Sequence, residues 1–165
     1  MPIDNSRSAL KRRITMMYFS PTGTTEKILE KIAMGMGIDN PLKMNLTRSS
    51  ARKDVKHLIG KAEKTTDYWL IGSPVHSGRI PRLMEKELVP LDGHGKPTVA
   101  VVVYGNRDFG IALRQLVETL TSRNFWVVGA AAFIAEHSFS HMFPIAVGRP
   151  DSKDRKQPAY SGKAL

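Results

Sequence analysis

The chain alternates short, unbroken apolar runs with stretches in which apolar residues recur every three or four positions. The runs are ITMMYF at 14–19, YWLIGS at 68–73, TVAVVVY at 98–104 and FWVVGAAAF at 125–133, with a shorter LKMNL at 42–46. Unbroken apolar runs bounded by turn formers predict strands buried on both faces. Ile28, Leu29, Ile32 and Met36 mark one helix face, within a helical segment expected over 26–36; Val55, Leu58, Ile59 and Ala62 mark a second. Leu83, Met84 and Leu88, set between Pro81 and Pro90, predict a short third helix, and Ala112, Leu113, Leu116, Val117 and Leu120 a fourth. Strand and helix take turns throughout. Parallel neighbours need right-handed crossover connections, so the alternation predicts an α/β three-layer sandwich with a five-stranded parallel sheet. The economical strand order is 2-1-3-4-5. Trp69 and Trp126, each inside a predicted strand, are expected in the core.

Length and composition narrow this picture. At 165 residues the chain holds one domain with a proper core. Residues 1–13 read as a basic N-terminal extension, 14–150 as the domain and 151–165 as a polar, proline-broken tail. No well-formed helix is expected after residue 150, so one face of the last strand is left poorly covered or closed by a partner subunit, as in a homodimer. Cysteine is absent, which excludes disulfides, thiolate chemistry and cysteine-ligated metal sites within the chain. No apolar run approaches the roughly 18 residues of a membrane span, and the first residues lack the apolar stretch of a secretory signal. Cytoplasm is the expected compartment.

Ligands of open α/β sheets bind outside the carboxyl ends of the strands, where the strand order reverses. Three turn-rich sequences meet there: SPTGTT (20–25), GSPVHSGRIP (72–81) and YGNRDFG (104–110). In the first, Gly23 permits a tight path into a helix whose free amides and dipole favour an anion. The hydroxyls of Ser20, Thr22, Thr24 and Thr25 add donors for phosphate oxygens. No lysine of the GxxxxGK[ST] kind is present, so a monophosphate suits the turn better than a nucleoside triphosphate. The alternative, an ordinary capped turn, stays open on this loop alone. The other two loops offer His76, Tyr104 and Phe109 as stacking groups. At Ser77 and Gly78, and at Gly105 and Asn106, the backbone can approach a planar ligand closely.

SPTGTT resembles the phosphate-binding loop of flavodoxins, and YGNRDFG resembles the flavodoxin loop in which an aromatic residue covers one face of the flavin. With GSPVHSGRIP and AAAFIAEHS, the chain over about 14–150 is similar to the flavodoxin domain at the head of flavodoxin–ferredoxin fusion proteins. The resemblance implies a flavodoxin-like fold and noncovalent FMN, cycling between oxidised, semiquinone and hydroquinone forms in electron transfer. It implies that Ser20, Thr22, Gly23, Thr24 and Thr25 hold the phosphate. Pro74, Val75, His76, Ser77 and Gly78 would border one side of the ring, and Tyr104, Gly105, Asn106 and Phe109 the other, with Phe109 stacking. The peptide joining Ser77 to Gly78 would meet flavin N5 and turn over on reduction. His137 is placed near the cofactor edge on the same ground.

Charge departs from that family, whose members are usually acidic. Twenty-five Lys and Arg against fifteen Asp and Glu leave a net charge of +10. With Arg79 and Arg107 in the flanking loops, the expectation is a less reducing flavin and an acidic redox partner, a ferredoxin or other iron–sulfur protein. Lys11, Arg12 and Arg13 read as a solvated gate before the first strand. Glu136, His137 and His141 lack a further ligand, and no metal is expected. Two other readings compete with the carrier. One is an NAD(P)H-dependent FMN or quinone reductase of the same fold; the other, set below both, is a flavin-free module for nucleic acid. A receiver domain lacks its acidic residues here, since Tyr18, Phe19 and Ser20 stand in their place, and a small tyrosine phosphatase lacks its cysteine.

Overall fold

Every residue of the first strand is buried, and the molecule is arranged around that strand. The computed structural model describes residues 12–105 and 108–135. The elements run β1 (Ile14–Tyr18), α1 (Thr24–Gly35), β2 (Leu42–Asn45), α2 (Ser49–Thr65), β3 (Tyr68–Pro74), α3 (Arg82–Leu88), β4 (Pro97–Tyr104), α4 (Ala112–Ser122) and β5 (Trp126–Ile134). The sheet is parallel throughout, in the order β2-β1-β3-β4-β5. Strand and helix alternate as the apolar pattern predicts. The one shift of consequence is that α1 begins at Thr24, inside the hydroxyl-rich turn, rather than at Glu26.

Two apolar layers sandwich the sheet. On one side, Met17, Trp69, Ile71, Ala100 and Val102 pack against Val55 and Ile59 of α2, Met84 and Leu88 of α3, and Leu116 and Leu120 of α4. On the other, Met16, Tyr18, Leu70, Val101 and Val103 meet Ile28, Leu29 and Ala33 of α1. Alternating residues of β1 therefore serve both layers, as a central parallel strand must. Trp69 is fully buried, edge-on to Phe125 with ring centroids 5.6 Å apart, and its indole N–H has no partner among the described residues.

Trp126 is not in the core. It is 64% exposed, and Val128 is 46% exposed. The reason is a register irregularity: Thr98 pairs with Val127 but Val99 pairs with Gly129, so Val128 is an extra residue. A one-residue slip exchanges the two faces of a strand. Val127 before the bulge and Ala130 and Ala132 after it join the three-helix side, while Trp126, at the start of the strand, falls on the other face and beyond α1.

Arg12 and Arg13, before β1, are engaged, and Lys11 lies outside the described residues. Arg13 bonds Asp67 through both its amide and its guanidinium, at 2.8 and 3.2 Å, and holds the Asp67 carboxyl below the ordinary carboxylate range. Arg12 lies over the Tyr68 ring at 5.6 Å. Among the described residues, no helix is long and apolar enough to cross a membrane. The proposed boundary at 150, the tail, and Glu136, His137 and His141 lie outside the described residues.

The contrast between the two tryptophans predicts the effect of replacing them. In urea unfolding, Trp126→Ser changes stability by less than about 0.5 kcal/mol. Trp69→Ala costs about 3–5 kcal/mol. Similar losses for both would refute the bulged register.

Candidate functional site

The site is assembled at the carboxyl edge, from the turn after β1 outward. Gly23 ends the turn at φ 77°, a left-handed value open to glycine, and space for a side chain is not the constraint there. The turn's inward groups are used. Gly23 N–H donates to Ser20 O at 3.1 Å, Lys27 N–H to Gly23 O at 3.1 Å, and Glu26 N–H to Ser20 Oγ at 3.1 Å. Ser20 is itself buried, and its N–H donates to Thr47 Oγ1 at 3.0 Å. Its hydroxyl therefore caps α1 as an acceptor and keeps one hydrogen to give.

Three amides remain. Those of Thr22, Thr24 and Thr25 make no hydrogen bond among the described residues. They sit where the first turn of a helix leaves its donors unsatisfied. The exposed hydroxyls of Thr22 and Thr24 lie 2.8 Å apart beside them. Thr25 differs, being 1% exposed: its methyl lies over Gly72, where a Cβ would come within 2.9 Å of it. So Thr22, Gly23 and Thr24 form the open part of the cradle, Thr25 contributes its amide, and Ser20 holds the turn together.

Beneath the turn, Tyr18 O–H donates to Glu26 Oε1 at 2.6 Å, and the Lys43 ammonium bridges Glu26 and Glu30. Burial, reinforced by the bond to Glu26, pushes the Tyr18 phenol well above its ordinary pKa. The hydrogen bond to Glu30, above all, raises Lys43.

The loop after β3 is a tight reversal. His76 and Arg79 exchange backbone bonds of 2.8 and 3.1 Å, with Ser77 at φ 51° and Gly78 at φ 74° between them. Positive φ at both central residues is the type I′ pattern. Gly78 O accepts from Ile111 N–H at 2.9 Å, and Gly110 rests against Gly78 so closely that a Cβ there would lie 2.6 Å from that carbonyl oxygen. The loops after β3 and β4 are thus clamped together. A second tie runs from Ile80 N–H to Gln115 Oε1 at 3.1 Å, with Gln115 Nε2 donating to Glu85.

Two aromatic pairs border the site. Phe19 and His76 approach edge-on at 6.4 Å, and Tyr104 and Phe109 at 5.3 Å. Phe109 is half-buried against the three-helix core, so its ring is anchored rather than free. Pro74 and Val75 continue β3 toward the loop, with Val75 N–H donating to Val103 O at 2.9 Å. Gly105 follows the end of β4 directly. Asn106 and Arg107 lie outside the described residues. The structure thus brings Ser20, Thr22, Gly23, Thr24, Thr25, Pro74, Val75, His76, Ser77, Gly78, Tyr104, Gly105 and Phe109 to one edge. Sequence reasoning missed Thr47, which bolts the turn from the β2 side, and Gly110. Only Gly110 had a local signal, as a glycine between a loop and a helix.

Similarity to known proteins is structural. A flavodoxin from Fusobacterium nucleatum bound to flavin mononucleotide superposes with TM-score 0.54 at 20% identity, over 76% of this chain and 74% of that one. The chain has the flavodoxin fold. An archaeal flavodoxin matches with TM-score 0.54 at 19% identity, over 86% of this chain and 87% of that one. A flavoprotein in complex with FMN from Lactobacillus acidophilus matches with TM-score 0.52 at 18% identity, over 73% and 93%. No protein-family model matches the chain, and no curated protein matches it in sequence.

The Tyr18 contact predicts an alkaline signature. The unfolded phenol ionises near pH 10 while the native one stays neutral, so the unfolded state loses its proton first and stability falls as pH rises past about 10. Tyr18→Phe costs about 1 kcal/mol near neutral pH and flattens that alkaline decline. An unchanged slope in urea titrations across pH would refute the contact.

Proposed function

We propose that this protein is a flavodoxin-like electron carrier that binds FMN noncovalently at the carboxyl edge of its sheet. The observation that carries the reading is the set of three unbonded amides at Thr22, Thr24 and Thr25, beside the paired hydroxyls of Thr22 and Thr24. A phosphate monoester supplies the acceptors this cradle lacks, and the start of α1 favours its charge. The likeness to a flavodoxin and a flavoprotein solved with FMN supports the same ligand.

FMN, when bound, supplies one- and two-electron redox chemistry. The protein's part is to hold and shield it. Thr22, Gly23, Thr24 and Thr25 hold the phosphate through amides and hydroxyls, and Ser20 fixes the turn and has a hydroxyl hydrogen to give. Residues 74–78, with His76, would border one side of the ring, and Tyr104, Gly105 and Phe109 the other. Clamped loops lose little freedom on binding, which favours affinity.

Adding FMN to the purified protein tests this directly. Flavin fluorescence is expected to quench at one equivalent, and the flavin absorbance to travel with the protein on gel filtration. The Thr22→Ala, Thr24→Ala double variant weakens FMN by about 10- to 100-fold, as expected for lost hydrogen bonds to a charged group. Gly110→Ala, which forces the two loops apart, weakens it as well while leaving far-UV circular dichroism unchanged. A protein that neither quenches FMN nor retains it sinks the reading. Steady oxidation of NAD(P)H by the loaded protein alone would replace the carrier with a reductase.

A further inference from the structure

Resting on that reading, we propose that the carboxyl edge of the sheet is a docking surface for the acidic face of an electron-transfer protein, gripped by Arg48, Arg79 and Arg82. Arg48 immediately precedes α2, Arg79 closes the reversal after β3, and Arg82 opens α3. All three are exposed, and none makes an ion pair among the described residues.

The opposite end of the sheet is different. There Arg13 is paired with Asp67, Lys96 donates to Glu63 O, and His94 stands beside Glu63 and Asp92. On the helices, Arg114 faces Glu118 and Lys43 bridges two glutamates. Arg52 is also spent: it donates to Leu46 O and Thr47 O at 3.0 and 3.4 Å and approaches Glu87. The three edge arginines have no such employment.

Their placement argues for a protein rather than a small anion. In the order β2-β1-β3, the loop bearing Arg48 and the loop bearing Arg79 lie on either side of the phosphate turn. Two strand spacings put the backbones of those loops about 10 Å apart. A face with several carboxylates spans them. Arg79 and Arg82 also line a cleft of about 510 Å³ with His76, Ile80, Pro81 and Glu85. Glu85, the acidic residue lining the cleft, is held by Gln115. The Arg79 backbone is fixed by its bonds to His76, so this cation is presented on a rigid support. Guanidinium groups take carboxylates in bidentate fashion and are favoured at interfaces, whereas lysines are more strongly hydrated. The lysines of α2 that make no ion pair among the described residues (Lys53, Lys56, Lys61 and Lys64) form the competing surface. They lie along a solvent-facing helix rather than around the candidate cofactor edge.

The test maps anions on the folded full chain by NMR. Hexacyanochromate(III), an inert trivalent anion, broadens the amide signals it approaches through its paramagnetism; polyglutamate and a short DNA duplex follow as macromolecular probes. Broadening is expected first at residue 48 and over 76–82, and polyglutamate is expected to shift the same signals. Arg79→Glu with Arg82→Glu reduces the broadening there by at least about fivefold. Lys61→Glu with Lys64→Glu, which changes net charge equally, leaves it within a factor of about 1.5. Broadening centred on the α2 lysines, or equal loss in both double variants, overturns the proposal. So does a DNA duplex that displaces polyglutamate from these signals. Flavin absorbance of the same sample is read separately: a colourless protein overturns the FMN reading, while the anion map is unaffected because it needs no flavin.

Discussion

The hydrogen bond from Tyr18 to Glu26 fixes where the first helix begins, and the rest of the edge follows from it. Tyr18 is the last residue of a strand buried along its whole length, and it is itself 1% exposed. A buried hydroxyl must find an acceptor. Glu26 provides one, and its charge is in turn compensated by Lys43 from β2. With Glu26 held there, its amide reaches back to Ser20 Oγ, the turn closes through Gly23, and the preceding amides are left facing outward. The cradle is thus the outer side of a turn whose inner side is fully used. Its shape is set by those internal bonds, and on the proposed function an anion would complete it at small conformational cost.

The same division between used and unused groups runs across the whole molecule. At the amino ends of the strands, Arg13 is paired with Asp67 and Lys96 is bonded to the Glu63 backbone. At the carboxyl ends, bonds also tie one loop to another or to a helix: Ser20 to Thr47, Ile111 to Gly78, and Ile80 to Gln115 of α4. These brace the loops against one another and leave side chains outward. A site built this way is stiff in its backbone and open in its chemistry, which suits the proposed cofactor edge.

Much of this was legible in the sequence, for identifiable reasons. Strands buried on both faces and helices with a 3.6 period write themselves into the apolar pattern, so the elements and their order followed directly. The three loops were also legible, because turn residues punctuate them. Trp126 was not, since a bulge leaves no mark in an apolar run yet exchanges the faces around it. Nor was Thr47. Its hydroxyl matters because β2 lies beside β1, and nothing in residues near Thr47 says which amide it will receive. The partial burial of Phe109 against the three-helix core and the full burial of Thr25 over Gly72 are likewise tertiary facts.

The loop after β3 refines what the resemblance to flavodoxins implied for the peptide between Ser77 and Gly78. Its flanks are clamped, His76 against Arg79 and Gly78 O against Ile111, but the peptide itself makes no bond among the described residues. In hydrogen-bond terms it is the free pivot of the turn. Rotating it changes ψ at Ser77 and φ at Gly78. Gly78 tolerates either sign of φ. Ser77 starts at φ 51°, and reversing its ψ there enters a region essentially reserved for glycine. The rotation therefore requires Ser77 to return to negative φ as well, which loads the adjoining bonds between His76 and Arg79. The glycine that makes such a turnover cheap is present at only one of the two positions that must move. The reversal is accordingly biased toward the conformation it already holds.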